Sequence, residues 1–320
     1  MPAPASTESS AHQDTNISKA AFAAKAADFI QRMGFDMRAS NPRDFELEDT
    51  VLAKVRDLGI QDSQLEPLLR VHEQACLFTT LCNRSACQNL KVSLAVFTEL
   101  IWMVEEHVVD KSSAKQFTFN LMNNYPQTDP YLEALAKYLK VEVGHDLGDF
   151  RTGILLASWI DTLNSMVLES ELAENRATTV LGYHTWIRAN TGGGAAVCQF
   201  LIPTEQDFEK NCFEYMQLTA AVNDMINYVN DVLSFYKEWI QRKEDCFITQ
   251  ISRENSCTVM ESLDWLLEHT VTLYLNHCSV MATFPGNLLY IYRDFVMGYI
   301  EWHFRINRYK LDEIGLYLQE

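Results

Sequence analysis

Residues 222–241 read VNDMINYVNDVLSFYKEWIQ and carry the clearest structural pattern in the chain. Apolar residues recur there at the three- and four-residue spacing of one helix face, namely at Val222, Met225, Ile226, Val229, Val232, Leu233 and Tyr236. The opposite face is rich in Asn, Asp and Ser, which are poor helix formers, whereas an ordinary solvated face favours Lys and Glu. The stretch therefore predicts an amphipathic helix whose polar face does more than meet solvent.

Asn230, Ser234 and Glu238 follow one another at four-residue intervals on this polar face. In an α-helix such neighbours stack along one stripe, so an amide oxygen, a hydroxyl and a carboxylate point the same way. Tyr228 and Phe235 border the stripe, and both would be unfavourable in open water. An all-oxygen ligand set suits a hard cation such as Mg²⁺ rather than Zn²⁺.

Helical spacing extends from Ala20 through most of the chain, and only 12 Gly and 8 Pro interrupt its 320 residues. The apolar periodicity predicts helices over residues 21–35, 64–82, 92–109, 131–139, 152–172, 207–241, 259–277 and 288–308. Short alternating strands and internal repeats are both absent from the pattern. We predict one all-α domain over residues 19–320, preceded by a disordered tail over residues 1–18 that is rich in Ala, Ser and Thr.

An acidic segment ends the predicted helix 92–109. Glu106 and Asp110 are four residues apart and share a helix face, whereas Glu105 lies about 100° around the axis from Glu106. Like charges at this spacing repel each other, and the helix macrodipole disfavours acids near the carboxyl end. The segment therefore indicates that a cation or an arginine lies between these carboxylates.

The run from Asn230 to Glu238 resembles N-D-x-x-S-x-x-x-E, the second metal-binding motif of class I terpene cyclases. It is most similar to the motif of the fungal trichodiene synthase family, including the Ser-Phe-Tyr-Lys-Glu ending. The resemblance implies that Asn230, Ser234 and Glu238 chelate one Mg²⁺. It also implies that Lys237 contacts the diphosphate of the substrate.

Two further segments are similar to the same family. Residues 192–194 are three consecutive glycines that follow Arg188 and predict a break between helices. The resemblance implies that Arg188 senses diphosphate and that the break lines a cavity. Near the carboxyl end, Arg308 and Tyr309 form the family's Arg-Tyr pair, which implies that both donate hydrogen bonds to diphosphate.

Trp302 shares a helix face with Phe295 and Tyr299 in the predicted helix 288–308. An aromatic stripe at this spacing is typical of core packing, and we expect that role for Phe295. We expect Trp302 in the wall of a cavity, because an indole face stabilises a cation.

The family places an aspartate-rich D-D-x-x-D motif where this chain has Glu105-Glu106-His107-Val108-Val109-Asp110. Two registers fit: counting from Glu105 places Val109 fifth, and counting from Glu106 places Asp110 fifth. We treat Glu105, Glu106 and Asp110 as candidate metal ligands. Order and spacing favour Glu105 as the direct ligand, with Glu106 held by a nearby base or water.

The resemblance implies a class I terpenoid synthase bundle with a central cavity, covering roughly residues 60–318. It implies farnesyl diphosphate as the substrate, three Mg²⁺ ions that Mn²⁺ can replace, and a cyclic sesquiterpene product. A humulene-type hydrocarbon is one candidate product, and a homodimer is the common assembly. The alternatives are a chain-elongating isoprenyl diphosphate synthase and a non-catalytic helical scaffold of the same fold.

Composition and charge exclude several other classes of function. Asp+Glu 43 against Lys+Arg 26 leaves a net charge of −17 and a pI near 4.9, which argues against binding of nucleic acid. No apolar run reaches the roughly 20 residues of a membrane span, and no secretory signal is apparent. The eight cysteines form no CxxC pair, so we expect free, mostly buried thiols in a reducing compartment, the cytoplasm. An acidic protein needs cations to hold an anionic substrate, which agrees with a metal-bridged diphosphate.

Overall fold

The computed structural model describes residues 17–38, 43–175 and 179–319. Within these ranges the chain forms fifteen α-helices and no strand, apart from one isolated β-bridge between Arg38 and Gln319. The helices are α1 Lys19–Met33, α2 Phe45–Asp57, α3 Leu65–Cys82, α4 Gln88–Glu105, α5 Lys111–Met122, α6 Pro130–Lys137, α7 Val143–Leu147, α8 Asp149–Asn175, α9 Tyr183–Thr191, α10 Gly194–Leu201, α11 Glu205–Lys210, α12 Cys212–Phe235, α13 Phe247–Glu254, α14 Val259–Met281 and α15 Leu288–Arg305. The predicted all-α fold is confirmed.

Eight of these helices line a central cavity of about 1450 Å³. Helix α3 packs between α4 and α15, α12 packs on α10 and α15, and α8 packs on α9 and α10. The helices that contribute side chains to the cavity wall are α3, α4, α8, α9, α10, α12, α13 and α15. The apolar face predicted for residues 222–241 is buried, so α12 uses it to hold the bundle together. The bundle thereby leaves the polar face of α12 directed at the cavity.

The helix predicted over residues 92–109 ends earlier, and this changes the acidic segment. Helix α4 stops at Glu105, and His107 adopts a left-handed backbone with φ 56°. The backbone N–H groups of Val108 and Val109 both turn back to the carbonyl oxygen of Met103, at 3.0 Å each, which closes the helix. The prediction that Glu106 and Asp110 share a helix face is therefore wrong, because the chain reverses between them.

The boundaries of the two helices that carry the other motifs also differ from the prediction. The segment 207–241 divides at Asn211, and its α-helix stops at Phe235, where a π-helical turn, Tyr236–Gln241, takes over. Helix α15 stops at Arg305 because Ile306 is extended, with φ −94° and ψ 125°. The Arg-Tyr pair consequently lies in the turn after α15 and not on the helix.

The predicted amino-terminal tail lies outside the described residues except for its last two residues. Ile17 is buried, and the Ser18 hydroxyl accepts a hydrogen bond of 3.1 Å from the backbone N–H of Ala21, which caps α1. These two residues belong to the folded part of the chain.

All eight cysteines are free thiols, as expected. Five are buried, Cys212 and Cys257 are half-buried, and Cys87 is exposed. Among the described residues, no helix combines the length and the apolar character that crossing a membrane requires.

Helices α3 and α15 approach each other closely at Gly298, which gives a test of the packing. A Cβ at this position would lie 2.0 Å from the backbone carbonyl oxygen of Leu81. We expect Gly298→Ala to lower the free energy of unfolding by about 1–3 kcal/mol or more, because backbone must move to admit the methyl group. Gly153→Ala in α8 is the control, since its Cβ would meet nothing within 4 Å, and it should raise stability by about 0.5–1 kcal/mol. Urea unfolding measures both, and equal effects would contradict the close approach.

Candidate active site

The cavity has a polar end, which is built from four parts of the chain. They are the end of α4, the polar face of α12 with its π-helical turn, the end of α9 and the turn after α15. Nine of the eleven candidate site residues line the cavity: Glu105, Glu106, Arg188, Asn230, Lys237, Glu238, Trp302, Arg308 and Tyr309. The fold thus brings together residues that are up to about 200 positions apart in the sequence.

Two members of the predicted oxygen stripe, Asn230 and Glu238, line the cavity, whereas Ser234 is not among the lining residues. Asn230 and Ser234 lie one α-helical turn apart on α12, whereas Glu238 lies in the wider π-helical turn that follows. Such turns shift the direction of a side chain and are frequent at functional sites. Ser234 is buried, and among the described residues its Oγ has no hydrogen-bond partner. A buried hydroxyl without a partner is unfavourable, so the stripe fits a hard cation that would accept this oxygen as a ligand.

Arg188 is held rigidly beside this stripe. Its Nε donates to the Asp231 carboxylate at 2.9 Å, and its Nη2 donates to the backbone oxygen of Asn227 at 3.1 Å and to Asn230 Oδ1 at 3.3 Å. Burial raises the pKa of Asp231, and the guanidinium of Arg188 opposes that effect. Arg188 therefore places a fixed positive charge next to the candidate metal ligands.

The glycine break is what allows Arg188 to approach α12. A Cβ at Gly192 would lie 2.1 Å from Oδ1 of Asn227, and one at Gly194 would lie 2.5 Å from Cα of Asn223. Gly193 adopts φ 62°, a conformation that favours glycine. Gly192 and Gly193 line the cavity, in agreement with the expectation for this break.

The two glutamates at the end of α4 share one arginine. Arg308 Nη2 donates to the Glu105 carboxylate at 3.0 Å, and its Nη1 contacts the Glu106 carboxylate. Arg308 is thus a basic group that lies between acidic side chains of this segment, as we expected. Because both carboxylates contact the same guanidinium, the choice between Glu105 and Glu106 as the direct metal ligand stays a prediction.

Asp110 is separated from the other acids by the reversal at His107. Its carboxylate accepts hydrogen bonds from the backbone N–H of Ser113 at 3.0 Å and from the Ser113 hydroxyl at 2.6 Å, so it caps the amino end of α5. The Ser113 hydrogen bonds lower the pKa of Asp110. Asp110 does not line the cavity, so its assigned role as a metal ligand has no support in the geometry.

Lys237 and Tyr309 complete the polar end. The Lys237 ammonium is buried, lies 3.3 Å from the Glu238 carboxylate and sits 5.4 Å from the centroid of the Tyr309 ring. Burial raises the pKa of the Tyr309 hydroxyl, which therefore stays protonated at neutral pH. Both groups can donate hydrogen bonds to an anion in the cavity.

Another part of the cavity wall is aromatic, and it adjoins the polar part, because the Trp302 ring lies 5.6 Å from that of Tyr309. Trp302 packs against Trp102 and Phe78, with ring centroids 5.5 and 5.7 Å away. Its Nε1 donates to the backbone oxygen of Gln74 at 2.9 Å, which fixes the indole in the wall, as expected for this residue. Phe295 is fully buried in the core, which agrees with the packing role expected for it.

Two acidic residues of the site were missed by the sequence reasoning. Asp231, the partner of Arg188, belongs to the N-D motif but was not assigned a role. Glu169 lines the cavity from α8, in a segment that matches no motif and therefore gave no signal. Burial raises the pKa of Glu169 to about 7, Arg188 opposes that shift, and the neighbouring carboxylates add to it.

The raised pKa of Glu169 predicts a pH dependence of stability. Between its ordinary pKa of 4.5 and about 7, the folded chain keeps a proton that the unfolded chain releases. Stability should therefore fall as pH rises through this window, by up to about 3 kcal/mol from this group. We expect Glu169→Gln to be more stable than wild type at pH 8 and equal to it near pH 4. Urea unfolding across this pH range measures the difference.

Glu171 on the same helix provides a control of opposite sign. Its carboxylate accepts a hydrogen bond from Lys115 at 2.7 Å, which lowers its pKa. Its stabilising contribution is present above its ordinary pKa and disappears as pH falls, so Glu171→Gln should be the less stable variant at neutral pH. A stability profile of Glu169→Gln parallel to that of wild type would contradict the assignment.

An all-α bundle whose central cavity has an oxygen-ligand stripe, fixed cations and an aromatic wall is the architecture of class I terpene cyclases, and the chain is an enzyme of this class. Residues 60–319 match the family described as trichodiene synthase (TRI5). Because the match covers most of the chain, the protein belongs to the trichodiene synthase family.

Individual relatives agree with this assignment. The chain is 24% identical to an (E)-beta farnesene synthase of Metarhizium brunneum over 85% of its own length and 83% of that protein. It is also 24% identical to the alpha-cuprenene synthase COP6 of Coprinopsis cinerea, over 85% of this chain and 84% of the relative. A solved structure of hedycaryol synthase in complex with nerolidol superimposes with a TM-score of 0.61 and 15% identity, covering 84% of this chain and 96% of that one. This structural likeness supports the fold.

Proposed function

We propose that this chain ionises farnesyl diphosphate with the help of Mg²⁺ and cyclises the resulting carbocation to a sesquiterpene, releasing diphosphate. One observation carries the proposal: Asn230 and Glu238 of the oxygen stripe, the fixed cations and an aromatic cluster all line one cavity. The polar part of its wall suits a diphosphate, and the aromatic part suits a hydrocarbon chain. Relatives named for different terpenes share this family, so the product is not transferred from any of them.

Asn230, Ser234 and Glu238 would hold one Mg²⁺, and Glu105 with Glu106 would hold metal on the opposite side. Three bound Mg²⁺ ions, which Mn²⁺ can replace, would supply positive charge to the leaving diphosphate. The residue types are oxygen donors throughout, as Mg²⁺ requires. Metal would also relieve the crowding of acidic charge at this end of the cavity.

The departure of diphosphate would be stabilised by donors that are already in place. Arg188, Lys237, Arg308 and Tyr309 offer N–H and O–H groups toward the polar end of the cavity. The carbon–oxygen bond breaks with both electrons leaving on the diphosphate, so negative charge develops where these donors lie. Preorganised donors of this kind stabilise developing charge without further rearrangement.

The aromatic part of the cavity wall would protect the carbocation that remains. The faces of Trp302, Trp102 and Phe78 stabilise positive charge through their π systems and keep water away from it. Loss of a proton after ring closure then gives a neutral hydrocarbon. We also propose that the enzyme acts in the cytoplasm, in fungal secondary metabolism, and assembles as a homodimer.

Product analysis with purified protein tests the proposal and its alternatives. Farnesyl diphosphate and Mg²⁺ alone should yield a volatile sesquiterpene and free diphosphate, and excess chelator should abolish both. A product that requires added isopentenyl diphosphate would instead indicate chain elongation. Failure to release diphosphate under either condition would indicate a non-catalytic scaffold. Turnover that persists in excess chelator would overturn the metal requirement.

A further inference from the structure

His303 on α15 is fully buried; it forms a hydrogen bond with one candidate metal ligand, and its ring packs 4.2 Å from that of Tyr309. Its Nδ1 lies 2.8 Å from the backbone oxygen of Tyr299, and its Nε2 lies 3.3 Å from Nδ2 of Asn230. His303 does not line the cavity, so it contacts Asn230 from the side of the protein core. Neither the cation sites nor the diphosphate donors described above include this histidine.

The partners of His303 determine where its proton lies. A backbone carbonyl can only accept a hydrogen bond, so Nδ1 of His303 must carry the hydrogen that it shares with Tyr299. Arg188 can only donate, so the atom of Asn230 that faces it, at 3.3 Å, must be the amide oxygen. The amide nitrogen of Asn230 therefore faces His303, and Nε2 must be the bare nitrogen that accepts its hydrogen.

The second hydrogen of the same amide nitrogen is also committed. Asn230 Nδ2 donates to the Tyr309 hydroxyl oxygen at 3.0 Å. If the amide of Asn230 rotated by half a turn, its oxygen would face the bare Nε2 of His303 and its nitrogen would face the donor Arg188, so both of these bonds would be lost, whereas the Tyr309 hydroxyl can donate as well as accept. Its oxygen is thereby fixed on the side of Arg188 and the cavity, with one lone pair still available for a ligand bond.

We propose that His303 is a positioning residue that holds the amide of Asn230 with its oxygen directed toward the Mg²⁺ site. The inference rests on the proposed function, because it assigns His303 to the metal ligand of that same site. A histidine that donated from Nε2 would favour the reversed amide and would present an NH₂ group to the metal. The backbone carbonyl of Tyr299 prevents this by fixing the tautomer.

The tautomer itself can be measured without metal or substrate. In the ¹⁵N spectrum of histidine-labelled wild-type protein, His303 should show a protonated Nδ1 and an unprotonated Nε2, with assignment by comparison with His303→Gln. Observation of the opposite tautomer, or of a doubly protonated ring at neutral pH, would overturn the inference. This measurement is independent of whether the protein is an active cyclase.

Binding of inorganic diphosphate across a Mg²⁺ titration, followed by calorimetry, tests the consequence. His303→Leu removes the acceptor and should raise the Mg²⁺ concentration for half-maximal binding by about 10–100-fold, with most of kcat recovered at saturating Mg²⁺. His303→Gln can place an acceptor oxygen near the position of Nε2 and should behave much more like wild type. His277→Leu is the matched control, since His277 bonds the Tyr292 hydroxyl at 2.9 Å away from the cavity and should leave the requirement unchanged.

A double variant separates orientation from packing. Asn230→Asp has two equivalent oxygens and needs no orientation, so adding His303→Leu to it should not raise the Mg²⁺ requirement further. An equal effect of His303→Leu in both backgrounds, or an equal loss in His303→Gln, would overturn the positioning role. Lack of Mg²⁺-dependent diphosphate binding by wild type would overturn the proposed function instead, and the two failures are therefore distinguishable.

Discussion

Glu238→Gln should lower the rate of diphosphate release from farnesyl diphosphate by about 10²–10³-fold, the size of effect seen when one stabilising contact to developing charge is removed. Glu238 lines the cavity beside Lys237, and its carboxylate is the only charged member of the oxygen stripe. Glutamine keeps the size of the side chain but loses the negative charge that attracts Mg²⁺. The rate should recover in part as Mg²⁺ is raised, because the weakened site can be filled by mass action.

Asp110→Asn is the matched control for this prediction, because it also removes one negative charge by an amide. Asp110 caps α5 and lies outside the cavity wall, and asparagine caps helices as well as aspartate does. We therefore expect turnover, Mg²⁺ requirement and melting temperature to stay close to wild type. A larger loss of turnover in Asp110→Asn than in Glu238→Gln would mean that the acidic segment rearranges to bring Asp110 to the metal.

Turnover measured across a Mg²⁺ titration decides whether Glu105 or Glu106 is the direct metal ligand. If Glu105 is the direct ligand, Glu105→Gln should raise the Mg²⁺ requirement and Glu106→Gln should not. The reverse result would assign the ligand role to Glu106 and correct the register. Loss of the Arg308 contact affects both variants alike, because this arginine contacts both carboxylates.

The sequence was most informative where a property depends on neighbours within one helix. The apolar face of α12 and the oxygen groups of Asn230 and Ser234 follow from a repeat of three to four residues, and both are present. The reversal at His107 was not predictable in this way. It depends on backbone N–H groups returning to Met103 and on the competing cap that Asp110 gives to α5. Local spacing alone therefore placed Asp110 on the wrong face.

Contacts between distant segments were the other part that the sequence left open. The pairing of Arg308 with Glu105 spans about 200 residues, and that of Arg188 with Asp231 spans about 40, so no helical period relates them. Glu169 has a raised pKa because the assembled cavity buries it, although nothing near it in the sequence is unusual. Motifs thus predicted nine residues that line the cavity, and the fold determined how they are paired.

Arg188→Met should abolish most turnover and also lower the free energy of unfolding by about 3–5 kcal/mol, because it leaves the buried carboxylate of Asp231 without its partner. The single variant cannot separate the two effects. Arg308→Met provides the contrast, since Arg308 and the two glutamates that it contacts are partly exposed. It should lose turnover with a change in stability of only about 0–1 kcal/mol.

The double variant Arg188→Met/Asp231→Asn separates the structural role of Arg188 from its catalytic role. Neutral asparagine removes the unpaired buried charge, so the free energy of unfolding should return to within about 1–2 kcal/mol of wild type. The remaining loss reflects the hydrogen bonds that Arg188 no longer makes. Turnover should stay as low as in Arg188→Met, because the positive charge that would meet the diphosphate is still missing. Urea unfolding and diphosphate release, measured on the same preparations, give both quantities. Recovery of turnover together with stability would mean that Arg188 serves only to neutralise Asp231 and makes no essential contact with the substrate.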